Sequence, residues 1–425
     1  MEPVLEKLIS FSTSLAYENT LGNPRLLMKM SIADFISVGL AGCSEPVSKL
    51  TRDFILEETG KPESSIFGSA QKAPARAAAM VNGTISHALD YDDTHFQYLG
   101  HPSVVILPAI LAVSEKIGSG FSEMVTSALI GVEITCRIGM WLGQSHFNHG
   151  FHQTSTCGSI GAAVAVGSLL QLDNEQMANA IGLVSTRSSG LKSQFGTMGK
   201  PFHAGMAASN GVEAALLASR GFVSTIDGLS GLNGFASTHN GSFNWGAFDK
   251  IGEEFVFEGI QYKYHACCHG IHASLEALIN LSDENKFNVD EISDVHIIVN
   301  PYYTNLCMIE SPTTGLEMKF SLSMVAALLL NGYDTSALES FTSDLCKDPA
   351  LIRFKRKIRV TTCSNILKTG SEVTITLNHG EFYTKRYDIT SIKSLNLKRT
   401  KLEKKVFSTL GDQRSKQLWT DLDNE

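Results

Sequence analysis

The sequence predicts a mainly α protein with an α+β second domain, on three observations. Its 425 residues exceed what one compact core accommodates, so two domains are expected. From Pro3 to about Arg220, apolar residues recur at helical spacing, punctuated by glycine and proline. After about Asn244, β-branched residues begin to alternate with polar ones, as in strands. We expect an all-helical domain over residues 1–255 and a smaller α+β domain over 256–394. The polar, helix-prone stretch 395–425 is expected to fold back on the first domain, which would then use both chain ends.

Taken in order, Pro3 to about Gly42 reads as helices, with Leu27, Met28, Met30, Ile32, Ala33 and Ile36 on a helical period. Ala75–Ala88 is a helix of small residues that would let neighbours approach closely. The acidic run from His87 to His95 lacks apolar period and reads as a loop. His101-Pro102-Ser103 opens an apolar helix to about Ile117, since proline in the first turn needs no backbone donor. Phe121–Leu142 and Thr154–Leu170 are further helical patterns. Asp173-Asn-Glu175 has the acidic first turn of a helix running to about Leu183. Lys200-Pro201 repeats the proline start and leads a helix to about Arg220. Strands are expected at Val295–Val299, Arg356–Val360 and Glu372–Leu377, with helices near Ser321–Leu330 and Ser336–Leu345.

Composition narrows the function classes. The chain is 43% hydrophobic and 18% charged, which excludes a disordered or fibrous protein. A net charge of −8 and the lack of a basic tract exclude nonspecific nucleic-acid binding. The eight cysteines follow no framework spacing and read as reduced core thiols. Met1-Glu2-Pro3 begins no apolar signal core, and runs such as Val104–Val113 are too short to span a bilayer. A cytoplasmic protein without membrane partners is expected.

Proton-handling residues cluster where glycines interrupt the helices. His101 and Lys200 each precede a proline at a helix start, where free N–H groups and the dipole favour an anion. They could equally be solvated caps. Asp90, Asp92, Asp93, Thr94 and His95 could hold a metal, set the protonation of His101 or Lys200, or form a plain acidic turn. His146, His149 and His152 are spaced for one helix face, but Gly143, Gly150 and Gly158 argue for a loop. A single catalytic histidine, His152, is the better reading than zinc. Lys263-Tyr-His265-Ala-Cys267-Cys268-His269-Gly-Ile-His272 has no zinc spacing and leaves a Cys-His pair or simple packing open. Gly196-Thr-Met-Gly199-Lys200-Pro201 lacks the spacing of a phosphate loop.

These segments together resemble the MmgE/PrpD family, which includes 2-methylcitrate dehydratases, cis-aconitate decarboxylases and iminodisuccinate epimerases. The matching pieces are His87-Ala-Leu-Asp90-Tyr-Asp-Asp93-Thr94, Gly100-His101-Pro102-Ser103, Gly150-Phe-His152-Gln-Thr-Ser, Lys200-Pro-Phe-His203-Ala-Gly205, Lys263 with His272, and Thr314-Gly-Leu-Glu-Met-Lys-Phe320. The resemblance implies an all-helical domain from both chain ends with an α+β lid, a homodimer, and no metal or organic cofactor. It also implies catalytic roles for His152, His101, Asp90 and Lys263, and substrate-binding roles for Lys200, Thr94, His272 and His203. Tyr302 or Tyr303 would supply a tyrosine from the second domain.

The sequence departs from the family in places. The Thr94–His101 loop is one residue longer than in the animal decarboxylases, and Tyr264-His-Ala-Cys-Cys replaces a proline-containing stretch. The Gly150–Gly205 region looks closer to the epimerase-like branch. The implied function is a lyase, dehydratase or decarboxylase, acting on a small di- or tricarboxylate. The alternatives are a dicarboxylate epimerase and a non-catalytic helical scaffold. In that chemistry Lys200, Lys263 and His101 would be cations gripping carboxylates. His152 would move the proton, Asp90 would orient a histidine, and Thr94 would bond a carboxylate.

Overall fold

Helices built from small residues dominate the first part of the chain: α1 (Pro3–Ser14), α2 (Asn23–Gly42), α3 (Pro46–Glu57), α4 (Ala75–His87), α5 (Ser103–Ile117), α6 (Phe121–Asn148), α7 (Gln153–Leu169), α8 (Asn174–Ser185), α9 (Gly199–Ala218) and the short α10 (Phe235–Thr238). The computed structural model describes residues 3–15, 22–58, 60–304 and 306–425. Met1-Glu2 of the expected non-secretory start, and residues 16–21 of the expected N-terminal helical run, lie outside the described residues. Residues 1–262 and 412–425 form one unit and residues 263–411 a second.

In the first unit, α7 packs on α6 and on α9, and α9 packs on α4. Glycine makes the last crossing possible. A Cβ on Gly83 would lie 2.9 Å from the Gly205 Cα, and one on Gly205 would fall on the Met80 carbonyl oxygen and the Thr84 hydroxyl. Backbone cannot give way there as a flexible side chain can. Gly205→Ala is therefore expected to destabilise the protein by about 1–3 kcal/mol through overpacking. A thermal midpoint equal to that of the wild type would refute so close a crossing.

Helix α6 has 28 residues. By length and composition it could cross a membrane, but it is buried inside the unit. It also carries a buried ion pair. Arg137 Nε donates to Glu133 Oε1 at 2.6 Å, and its Nη1 donates to the Ala247 and Asp249 carbonyls at 2.8 and 2.9 Å. Glu133 in turn accepts from the Val256 and Phe257 amides. One helix face thus satisfies the backbone of the irregular segment 245–257, whose carbonyls and amides have no regular ladder. The break expected at Gly143 is present, with φ 66° and ψ −163°. The chain then resumes a helical course to Asn148, so the expected loop over 143–152 holds only in part.

Helix α8 begins as its sequence demands, with the Asp173 side chain accepting from the Gln176 amide. Helix α9 starts at Gly199, so Lys200 and Pro201 both lie in its first turn and Lys200 is not a cap. The same unit holds the two-residue antiparallel pair β1 (Ser64–Ser65) and β2 (Lys72–Ala73).

The second unit contains α11 (His269–Asn285), β3 (Ile292–Val299), α12 (Gly315–Met318), α13 (Leu322–Leu330), α14 (Pro349–Lys355), β4 (Ile358–Thr362), β5 (Gly370–Leu377), β6 (Phe382–Asp388) and α15 (Leu395–Leu410). Its sheet has the order β4-β3-β5-β6, with β3 parallel to β4 and antiparallel to β5. Ser371, Val373, Ile375 and Leu377 are buried on alternate positions of β5, and α11 packs on β5 and β6. The helix expected at Ser336–Leu345 is absent. Asp334 accepts from the Ser336 amide and hydroxyl at 2.9 and 2.6 Å. That local turn competes with a helix start, leaving 3₁₀ turns at Leu338–Ser340 and Leu345–Lys347.

The two units meet in sequence at 262/263 and 411/412, where the sequence reading put boundaries at 255/256 and 394/395. Within the second unit, α15 is fastened by Lys401, whose ammonium reaches both Glu276 oxygens at 2.8 and 2.6 Å. Only α16 (Asp412–Asn424) joins the first unit, where Lys29 donates to the Leu422 carbonyl at 2.8 Å.

Candidate active site

The loop after α4 turns on Asp90, which has φ 49°. That left-handed conformation is uncommon outside glycine, but aspartate tolerates it better than most residues. The turn sends neighbouring carboxylates in different directions. Asp93 points inward to accept from Ser31 at 3.0 Å and Ser103 at 2.5 Å. Its pKa is raised by burial first and then by Asp34 beside it. Asp92 points the other way and receives His87 Nδ1 at 2.9 and 3.0 Å.

His101 closes the cluster. Its Nδ1 lies 3.0 Å from Asp92 Oδ2, although off the line of a well-formed hydrogen bond. Its Nε2 lies 3.5 Å from Asp90 Oδ1, and its ring meets that of His87 edge-on at 4.6 Å. The His101 amide donates to Thr154 Oγ1 at 3.1 Å, which ties the loop to the head of α7. From the first turn of α9, Lys200 Nζ donates to Asp90 Oδ1 at 2.7 Å and faces the Phe195 ring at 5.5 Å.

His152 sits at the N-cap of α7, its amide donating to the Gly190 carbonyl at 3.0 Å. The side chain is buried against Phe195, 5.0 Å away edge-on. Its Nδ1 is 3.2 Å from His203 Nδ1, and its ring stacks on that of His87 at 6.2 Å. Asp90, His101, His152, Lys200 and His203 are therefore gathered by three elements: the α4–α5 loop, the head of α7 and the head of α9.

Electrostatics divide these groups. Burial pushes the His101 imidazole down to about 4, with the neighbouring Asp92 opposing it and Lys200 reinforcing it. Burial and then Lys200 hold His152 well below the usual imidazole range. Burial alone would raise Asp92, but His87 and His101 outweigh it and hold its carboxyl well below the usual range. The downward push on His101 favours the neutral form of its imidazole at pH 7. The ammonium of the cluster is Lys200.

Donor atoms of His87, Asp90, Asp92 and His101 all lie within 4.8 Å of one another, a spacing a divalent ion accepts. The surroundings fit one poorly. The Lys200 ammonium already sits on the Asp90 oxygen, and Asp92 is shared by two imidazoles.

Other expectations fall elsewhere. Thr94 pairs with Gln261 through both backbone groups at 2.8 Å, and its hydroxyl lies 3.4 Å from the Gln261 carbonyl. It anchors the loop. His95 Nε2 is 2.8 Å from the Val256 carbonyl. His146 is held by the His239 carbonyl on one nitrogen and the Thr156 hydroxyl on the other, whereas His149 is exposed. Of the three evenly spaced histidines, only His152 enters the cluster.

In the second unit, Lys263 and His272 are buried. The His272 ring lies 5.0 Å from that of His265 and 4.6 Å from that of His269. Burial and then His269 hold it well below the imidazole range. Tyr303 donates its hydroxyl to the Lys368 carbonyl, whereas Tyr302 is half exposed. All eight cysteines are free thiols. Sequence reading offered Asp92 as one of several acids that could set the protonation of His101, without singling it out, and did not single out His87. Their spacing of five residues matches no helical or strand period, and only the turn at Asp90 brings them together.

The sequence matches the MmgE/PrpD N-terminal domain over residues 6–247 and the MmgE/PrpD C-terminal domain over residues 265–417. A cis-aconitate decarboxylase of Aspergillus terreus is 27% identical over 358 residues, covering 77% of this chain and 71% of that protein. A cis-aconitate decarboxylase-like protein of Aspergillus oryzae is 29% identical over 289 residues, covering 64% of this chain and 60% of that one. The human cis-aconitate decarboxylase is 24% identical over 390 residues, covering 85% and 78%.

Proposed function

The chain belongs to the MmgE/PrpD family, and from that premise we propose that it is a cofactor-independent lyase that removes carbon dioxide from a small tricarboxylate of the cis-aconitate type. The decarboxylases among its relatives support the choice of reaction. The observation that carries it is the Lys200–Asp90 ion pair beside His101 and His152 in one cluster.

Decarboxylation breaks the C–C bond to one carboxylate, releases carbon dioxide and leaves an electron pair on carbon. The remaining carboxylates delocalise that charge, and Lys200 would stabilise it where it grows. A proton must then be delivered to carbon, and His152 is the group we assign to it. His203, 3.2 Å behind it, is the proton's second station. Asp90 holds the Lys200 ammonium until a substrate carboxylate competes for it. On the family resemblance alone, Lys263 enters the proposal as catalytic and His272 as substrate-binding.

Proton NMR in deuterated water separates the readings. With cis-aconitate, the new signals of a terminal alkene are expected, with one deuterium on the saturated carbon next to a carboxylate. New alkene from citrate or 2-methylcitrate would mean a dehydratase instead. Exchange at the α-carbon alone, with an aspartate-derived imine such as iminodisuccinate, would mean an epimerase. No turnover and no thermal stabilisation by any of them would leave a non-catalytic scaffold.

A further inference from the structure

The charges of the cluster do not suit its proposed ligand. Within the first unit, Asp90 already occupies the ammonium of Lys200, and a second carboxylate, Asp92, lies against His101. A carboxylate substrate arriving there meets the wrong sign unless a proton arrives with it. His101 is the group placed to take that proton. Asp92 and Asp90 face it from its own loop, His87 from α4, Lys200 from α9, and His152 lies across the cluster at the head of α7. Asp92 is nearly inaccessible, with a side chain 3% exposed, and a buried carboxylate survives only with partners. It has His101 Nδ1 on one side at 3.0 Å and His87 Nδ1 on the other at 2.9 Å. His87 Nε2 is itself buried and finds no hydrogen-bond partner among the described residues. The His87 ring is therefore fixed by its bond to Asp92 and by packing, as a brace and not as a proton conduit.

We propose that Asp92, braced from behind by His87, is the counter-ion that lets His101 take up a proton as a carboxylate substrate enters, giving the substrate a second cation beside Lys200. The inference rests on the tricarboxylate reading above. The added proton comes from water, and once both ring nitrogens carry hydrogen Nδ1 stands 3.0 Å from Asp92 and Nε2 faces Asp90. This proton is held as charge and is separate from the one that His152 delivers to carbon. Asp92 and His87 are positioning residues here. They act through His101 and not on the substrate.

Isothermal calorimetry at pH 6, in two buffers of different ionisation heat, counts the protons. Tricarballylate, the saturated analogue of cis-aconitate, serves as a ligand that does not react. Wild-type protein is expected to take up about one proton per site on binding it. Asp92→Asn is expected to bind with almost no uptake and to lower turnover by about 10². His101→Gln is expected to abolish the uptake outright. Binding by the wild type without uptake would overturn the inference and leave the tricarboxylate reading standing. So would uptake that persists in His101→Gln, because another group would then be loading. Failure of the wild type to bind tricarballylate at all would overturn the reading and the inference together. If Asp92→Asn does not fold, the wild-type and His101→Gln measurements decide between these outcomes.

Discussion

His152→Ala is expected to lower kcat by about 10²–10⁴ while leaving the protein folded, since a positioned acid or base contributes that much. His152 is buried, yet its structural duties are mostly carried by its backbone. The amide donates to the Gly190 carbonyl, and its own carbonyl accepts from Ser155 and Thr156 to start α7. An alanine keeps all three bonds. The side chain contributes contacts with Phe195 and His203, so the stability lost is that of one partly unsatisfied neighbour, about 1–3 kcal/mol. Lys200 is untouched, so stabilisation by tricarballylate should survive the substitution. The combination of lost turnover, retained far-ultraviolet circular dichroism and retained ligand stabilisation identifies a proton-transfer group. Wild-type kcat in His152→Ala would take the chemistry away from this imidazole.

The sequence disclosed the helical unit and the main site residues for one physical reason: each was announced by a local break. Gly150 and the start of α7 flank His152, Pro102 flanks His101, and Pro201 flanks Lys200. Residues whose placement depends on a distant partner gave no such signal. The His87–Asp92–His101 arrangement depends on the left-handed turn at Asp90, which periodicity does not register. Helix α11 escaped notice because its first residues, His269-Gly270-Ile271-His272, look like site chemistry, although Gly270 is there so that the Tyr303 ring can approach. Strand β6 escaped because it lies at the sheet edge and its Lys385 and Arg386 pair with Glu284 and Glu372 rather than following an apolar alternation. The downward push on the His101 imidazole was not legible, because burial, which no local pattern reports, outweighs the adjacent carboxylate.

Lys200→Ala is expected to reduce kcat/KM by about 10²–10³, the loss that follows removal of one group aimed at developing charge. Unlike His152→Ala, it should also abolish stabilisation by tricarballylate, because the ammonium serves both binding and transition state. Lys200→Arg should recover little. A guanidinium keeps the charge but is broader, in a space bounded by Asp90 at 2.7 Å and by the Phe195 ring. The pH dependence supplies a sharper check, since the sign of the shift is fixed by charge. Lys200 lowers the pKa of both His101 and His152, so its removal lets both imidazoles protonate at higher pH. The imidazole limb of the activity profile should therefore move up in Lys200→Ala. Removing the carboxylate in Asp92→Asn withdraws stabilisation from the imidazolium of His101, and the same limb should move down. Opposite displacements from two substitutions on either side of one ring require both charges to act on that ring through space. Displacements in the same direction, or none in either variant, would mean that Lys200 and Asp92 do not share a site with the titrating group.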